Sequence, residues 1–313
     1  MNESRHGLRW KTLLAFGIIY FVWGSTYYAI RVGVEEVPPF LLAAMRFLIA
    51  GLALCAWTLA RGERGPSGRE WVSVALVAFL IFAMDYGLVF WAEQRVASGL
   101  TAVMMATIPA FMALGEIFIL GTQRLTVRLV AALLIGLGGV GVLMSRSLDL
   151  GGAPIDRMGA LALIVGAVSW SIASALTRIL PMPVSKVVSS GAQMFLGGVF
   201  LAVISCLLGE YRNFRVGNVS RGAWIALAYL IVAGSIIAFT AYVWLLHRES
   251  PTKVGTYAYV NPVVAVVLGY FLGGEELGMR AILGTVFVLI SVGVITTTKA
   301  AKSTATPIAS EAK

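Results

Sequence analysis

The chain is a succession of long apolar runs separated by short polar connections, a pattern no soluble fold accommodates. A helix that crosses a bilayer needs about 20 predominantly apolar residues. Ten such runs stand out: Thr12–Val32, Phe40–Leu59, Trp71–Trp91, Leu100–Leu120, Val127–Met144, Met158–Leu176, Val187–Leu208, Trp224–Leu246, Gly255–Leu272 and Arg280–Thr297. The connections carry turn and charge residues, as in Glu35-Glu36-Val37-Pro38-Pro39, Arg61-Gly62-Glu63-Arg64-Gly65-Pro66 and Leu148 to Asp156, and none is long enough for a separate soluble domain. Of the 313 residues 59% are hydrophobic and only 12% charged, against about 45–50% apolar and a quarter charged in soluble chains. Hydrocarbon cannot satisfy open backbone groups, so the runs are expected as helices. The expected fold class is an all-α integral membrane protein with ten transmembrane helices.

The few charges are informative by position. Arg5, Arg9 and Lys11 precede the first run as they would a signal peptide, but the run is longer than a 7–15-residue signal core and lacks an A-x-A-like cleavage site. It reads as a retained helix. The net charge of +9 suits anionic lipid and topology better than nucleic acid, because the basic residues lie mainly between apolar runs. With an internal N-terminus and alternating spans, fifteen Lys and Arg fall on the cytoplasmic side and eight outside, with Arg46 in the membrane. Both termini are therefore expected in the cytoplasm. Cys55 and Cys206 sit inside apolar runs and read as small hydrophobes.

The chain also repeats itself. Trp23, Arg31 and Gly51 recur 147 residues later as Trp170, Arg178 and Gly198; Trp71, Trp91, Arg95 and Pro109 recur 153 residues later as Trp224, Trp244, Arg248 and Pro262. Each half is a five-helix unit. Five is odd, so the second unit enters the membrane with opposite orientation. Two inverted five-helix repeats are a recurrent construction of secondary transporters.

These residues resemble the drug/metabolite transporter superfamily, in its EamA-type branch. The first helix reads Phe21-Val22-Trp23-Gly24-Ser25-Thr26, close to the family's tryptophan–glycine–serine signature. Ala97-Ser98-Gly99-Leu100-Thr101-Ala102 followed by Thr107-Ile108-Pro109 has its counterpart in Ser250-Pro251 and Tyr257-Ala258-Tyr259-Val260-Asn261-Pro262. Phe271-Leu272-Gly273-Gly274-Glu275-Glu276-Leu277 is similar to the family's leucine–glycine–glutamate turn, whereas Leu120-Gly121-Thr122-Gln123 lacks the glutamate in the first half. The resemblance implies EamA-type repeats over 11–146 and 158–298 with a cytoplasmic tail at 299–313. It further implies export or exchange of small metabolites or drugs across the inner membrane.

Ionisable side chains inside spans are costly, roughly 2.5–3.5 kcal/mol each at a helix centre on insertion scales. Arg46 and Asp85 each lie six residues below the outer end of a span, about 9 Å deep at 1.5 Å per residue. Their repeat counterparts, Gln193 and Ala238, are both neutral. Two readings are open: a structural ion pair, or a pair whose partner is displaced by substrate or proton during transport. Glu116 and His247 are further coupling candidates, against which stand snorkelling to the interface for Glu116 and simple solvation for His247. Glu93 and Glu249, also at span ends, read as solvated.

Pro109 and Pro262 each leave a carbonyl without its helical donor and introduce a kink. Broken helices at corresponding positions of two halves point to a substrate site. Candidate cavity residues are therefore Met105, Pro109, Tyr257, Tyr259, Asn261 and Pro262, with Trp23, Tyr27 and Trp170 from the first helix of each half and Arg46 and Asp85. Aromatic, thioether and amide groups together suit an amphipathic organic molecule better than a bare ion. Trp71, Trp91, Trp224 and Trp244, at span ends, suit interfacial anchoring. The Gly136–Gly141 run suits close helix packing or a dimer contact.

Enzyme classes find little support. No Gly-Lys dipeptide exists for a phosphate-binding loop, no H-E-x-x-H occurs, and His6 and His247 are the only histidines. No metal and no cofactor is expected. The expected partners are a small-molecule substrate and the bilayer, not nucleic acid. The expected function is secondary transport by alternating access, with a passive channel or a non-transporting scaffold as alternatives.

Overall fold

A computed structural model describes residues 2–96, 101, 104–143, 156–212, 214–273 and 279–297. The 299–313 tail, residues 97–100 and 102, the 148–155 connection and the 274–277 turn, all singled out above, lie outside the described residues. The described residues are helical throughout apart from their turns and connections. Six helices are long and apolar enough to cross a membrane: α1 (Asn2–Val34), α2 (Pro39–Ala60), α3 (Gly68–Ala92), α6 (Arg157–Ile179), α7 (Lys186–Leu208) and α8 (Arg221–Leu246). Shorter apolar helices are α4 (Ile108–Leu120), α5 (Val127–Leu143), α9 (Tyr257–Gly273) and α10 (Met279–Thr297). Their outer faces are apolar, with Phe118 80% and Leu207 82% exposed, a surface suited to hydrocarbon and not to water.

Helix boundaries follow capping chemistry. Ser67, Asp156, Ser185 and Ser220 cap α3, α6, α7 and α8, each side chain accepting a backbone N–H in the first turn. Pro39 opens α2 at a position that needs no donor. Two long helices are not regular. α3 is π-helical over Phe79–Tyr86 and α8 over Leu230–Ile237, at near-equivalent points of the repeat.

Packing is reciprocal between halves. α1 lies against α8 and α9, while α6 lies against α3 and α4; α2 crosses α7, and α5 crosses α10. The α2–α7 crossing depends on two repeat-related glycines. A Cβ at Gly51 would fall 2.4 Å from the Phe195 nitrogen, and one at Gly198 2.6 Å from the Leu48 nitrogen. Only glycine lets these backbones meet. Gly136 and Gly139 serve α5 in the same way, against Ser291 and against Phe287 and Val288 of α10, so this part of the glycine run is an internal packing surface.

Three sequence expectations change. The fourth run is not one helix: a turn at 106–107 precedes α4, and Pro109 stands in its first turn, where it interrupts no helical bond. In the second half the break falls at Thr256, between the short helix Pro251–Gly255 and α9, and Pro262 lies inside α9. Cys206 is exposed on the apolar exterior, not buried.

Candidate functional site

Trp23, Thr26, Tyr27 and Ile30 repeat at helical spacing along one face of α1, and this stripe forms one wall of an internal cavity. Asp85, Tyr86 and Val89 of α3 form the next wall, Met105 and Ile108 flank the break before α4, Trp170 comes from α6, and Tyr257 and Asn261 from α9. The cavity measures about 50 Å³, room for a few water molecules at 10–15 Å³ each.

The aromatic rings pack edge to face. Trp23 and its repeat counterpart Trp170 have centroids 5.6 Å apart at 79°, and Trp23 meets Tyr257 at 4.8 Å and 72°. Tyr86 contacts Trp170 at 5.7 Å, and Tyr242 of α8 closes the cluster at 5.0 Å from Trp170. Asn261 is best oriented with its amide nitrogen donating to the carbonyls of Tyr20 (3.1 Å) and Tyr257 (3.0 Å), which ties α9 to α1. Gly24 permits that approach: a Cβ there would lie 2.8 Å from Val264 and 3.1 Å from the Asn261 carbonyl oxygen.

The π-helical stretches of α3 and α8 supply polar groups; a third, shorter one closes α4 over Glu116–Leu120. A π turn leaves carbonyls poorly served by their own helix and is often found at functional sites. Here the α3 and α8 stretches each give one carbonyl to a donor from the opposite half. Ser169 Oγ donates to Leu80 O at 2.8 Å, and Trp23 Nε1 donates to Gly234 O at 3.0 Å. Asp85 is the last residue but one of the α3 stretch, buried at 3% exposure, and its Oδ1 has no hydrogen-bond partner among the described residues. Gly166 of α6 leaves space beside it, since a Cβ there would stand 3.2 Å from Oδ1.

Arg46 is not the partner of Asp85. No ion pair within 4 Å joins them among the described residues. The guanidinium donates from Nε to Ser235 Oγ at 2.8 Å and lies 4.7 Å and 5.2 Å from the ring centroids of Phe47 and Tyr86. It is buried outside the cavity wall, held by a hydroxyl of the α8 π stretch and by ring faces.

Of the other candidates, Tyr257 and Asn261 share the cavity face of α9. Tyr259, two residues from each, faces away and donates to Leu133 O of α5 at 3.0 Å. Pro109 and Pro262 do not line the cavity. Glu116 does not snorkel. It is 1% exposed and accepts from the backbone N–H (3.1 Å) and hydroxyl of Thr252 in the opposite half. His247 is half-buried at the end of α8, away from the cavity, with Nδ1 on Val243 O at 2.8 Å; burial lowers its pKa, aided by Lys186 and Arg178.

Glu93 is the largest departure from expectation. It follows α3 at a span end, yet it is 3% exposed and neither oxygen has a partner among the described residues. Burial raises its pKa to about 8, against a smaller opposing pull from Arg31. Thr26, Ile30, Tyr86 and Val89 were also not anticipated, although the i, i+3, i+4, i+7 stripe from Trp23 and the i, i+4 step from Asp85 to Val89 carry the signal.

Both ends of the molecule are latched between halves. At one end Glu36 accepts from the Ser220 backbone N–H (2.6 Å) and hydroxyl (2.7 Å), while Glu210 accepts from Phe40 and Leu41 N–H at the start of α2. At the other, Glu116 holds Thr252 and Arg178 donates to Glu249 O at 2.6 Å.

The model of the EamA-like transporter family matches residues 10–145 and again residues 157–297. The inner membrane transporter YedA of Escherichia coli (strain K12) is 38% identical over 276 residues, 86% of this chain and 87% of that protein. The WAT1-related chloroplastic protein At3g02690 of Arabidopsis thaliana is 26% identical over 91% of this chain and 68% of its own length. The Bacillus subtilis transporter YoaV is 23% identical over 89% of this chain and 94% of its own. A protein crystal structure, 24% identical, superposes with a TM-score of 0.72 over 91% of this chain and 97% of that one, which speaks to the fold alone. These relatives point to a transporter and not to an enzyme. A helical membrane protein with an aromatic, single-acid cavity, matched twice along its length, this chain belongs to the EamA-like transporter family.

Proposed function

We propose that the chain is a secondary transporter of the inner membrane that exports or exchanges a small amphipathic metabolite or drug by alternating access. In this reading it crosses the membrane ten times, as two five-helix repeats of opposite orientation over 11–146 and 158–298, with both termini cytoplasmic. The observation that carries it is a cavity walled by helices of both halves, with the halves hydrogen-bonded to each other at both ends. At about 50 Å³ it is far below the 300–1,000 Å³ of sites for drug-sized ligands. Loading therefore requires the cavity to widen, one latch opening while the other holds.

The inverted arrangement is supported by reciprocal contacts. Counting ten alternating crossings, the connections assigned to one side are the ones that touch. Glu36 meets Ser220, Arg95 approaches Asp156 at 4.0 Å, and Arg178 reaches Glu249 on the opposite side. Repeat-related pairs also make like contacts: Arg95 lies 4.1 Å over Trp91, and Arg248 4.3 Å over Trp244.

Among the coupling candidates Asp85 borders the cavity, whereas Glu116 belongs to a latch and His247 stands at the edge. The test is a metabolite and drug screen with purified protein in liposomes under imposed pH gradients, repeated for Asp85→Asn, Arg46→Gln and the double variant. Saturable uptake with counterflow is expected. Flux without saturation or counterflow identifies a channel, and no substrate-dependent flux under any gradient identifies a scaffold.

A further inference from the structure

The cavity has one ionisable side chain in its wall, and its chemistry specifies the charge of what binds there. Among the described residues Asp85 is the only acidic or basic one in the wall, and no cation lies within 4 Å of it. The one basic side chain buried nearby, Arg46, is committed to Ser235 and to the rings of Phe47 and Tyr86, and does not reach the cavity. An unpaired carboxylate buried among apolar groups is expensive to keep ionised. A cation arriving in the cavity removes that cost.

The remaining wall is suited to the same ligand. Trp23, Tyr86, Trp170 and Tyr257 stand in the same wall as Asp85, with neighbouring centroids 4.8 to 6.3 Å apart. Ring faces attract a cation within about 6 Å of the centroid, and clusters of aromatic rings are a recurrent site for quaternary ammonium groups. A carboxylate or phosphate ligand meets the opposite situation: Asp85 repels it, and no wall residue offers a positive charge.

On the transporter reading above, we infer that the substrate is an organic monocation, an amine or quaternary ammonium with an apolar body, whose charged head sits against Asp85 inside the aromatic wall. Neutral and anionic molecules of the same shape are rejected.

Trp23 and Trp170 report on the site directly. Purified full-length protein is titrated with phenyltrimethylammonium, benzyl alcohol and benzoate while tryptophan fluorescence is followed. Saturable quenching by the cation alone is expected. Asp85→Asn should weaken it at least tenfold, and Asp85→Glu should retain most of it. Trp170→Leu should weaken it with Asp85 intact, which keeps the test open if Asp85→Asn fails to fold. Equal cation binding by wild type and a folded Asp85→Asn protein overturns the inference, as does preferential binding of benzoate or benzyl alcohol. Liposome flux separates the two levels. Saturable counterflow of neutral or anionic solutes with none for cations refutes the cation assignment and leaves transport standing. Specific cation binding without flux of any solute refutes transport and leaves the cation site standing.

Discussion

Helices α3 and α8 hold equivalent places in the two halves and differ in what they do with the same backbone. Both begin at a serine cap, Ser67 and Ser220, both carry an eight-residue π stretch, and both end with an arginine stacked on a tryptophan. On α3 the stretch delivers an unpaired acid, Asp85, to the cavity; on α8 it delivers Gly234 and Ser235 to Trp23 and Arg46. One π stretch is thus open toward a ligand and the other satisfied from within. The hydroxyl that anchors the buried Arg46 of the first half thus comes from the α8 stretch.

The largest expected effect falls on the open member. Asp85→Asn should reduce saturable flux in liposomes at least tenfold while leaving the melting temperature equal or higher, because it removes a buried unpaired acid. Unchanged flux would mean that the two stretches do not differ in function. Ser235→Ala tests the satisfied member. It leaves the buried guanidinium nitrogen without its acceptor, at about 1–3 kcal/mol, and should appear as lower resistance to denaturant with cation binding at the cavity little changed.

The ends of the two helices give smaller effects. Glu93 follows α3 where α8 carries Leu246. A carboxyl raised to about 8 favours the fold while protonated, fully below the ordinary carboxylate range, and that contribution is lost as pH rises through 8. Glu93→Gln should therefore match wild type near pH 4.5 and melt higher at pH 8. Equal melting temperatures at both would show the carboxylate to be solvated. The caps differ in where their acid sits. Ser67 closes a capping box with Glu70 in its own helix, whereas Ser220 is held by Glu36 of the other half. Either serine to alanine should cost about 1 kcal/mol. The cost should shrink in acid at both positions, because hydrogen bonds from Ser67 and Ser220 hold Glu70 and Glu36 below the usual carboxylate range and that contribution disappears as pH falls through the depressed values.

Much of this was legible in the chain. Apolar length marked the helices, since burying backbone in lipid leaves few alternatives. The tryptophan spacing paired Trp23 with Trp170, which meet in the core. Asp85 was conspicuous because an acid in an apolar run has few innocent explanations. The partner of Arg46 was hidden for a physical reason: opposite charges at equal depth invite pairing on paper, but a side chain reaches only what its helix faces, and Arg46 faces Ser235. Glu93 was read as solvated because distance along a span says nothing about which helix covers its end. The π stretches leave no mark in composition, and the helix breaks do not coincide with the prolines: Pro109 stands in a first turn, where a proline costs a helix nothing, and Pro262 lies inside a helix that continues through it.

The glycine crossing of α2 and α7 has a mechanical consequence. The seam runs antiparallel from Leu48 against Gly198, through Gly51 against Phe195, to Leu54 and Cys55 against Gly191, so backbone rests on backbone over about two helical turns. Where side chains separate two helices, a change of rotamer lets one slip past the other; here nothing lies between the backbones to give way. The pair is therefore expected to move as one body, so the opening of a latch at the rim has to come from the helices packed around this seam.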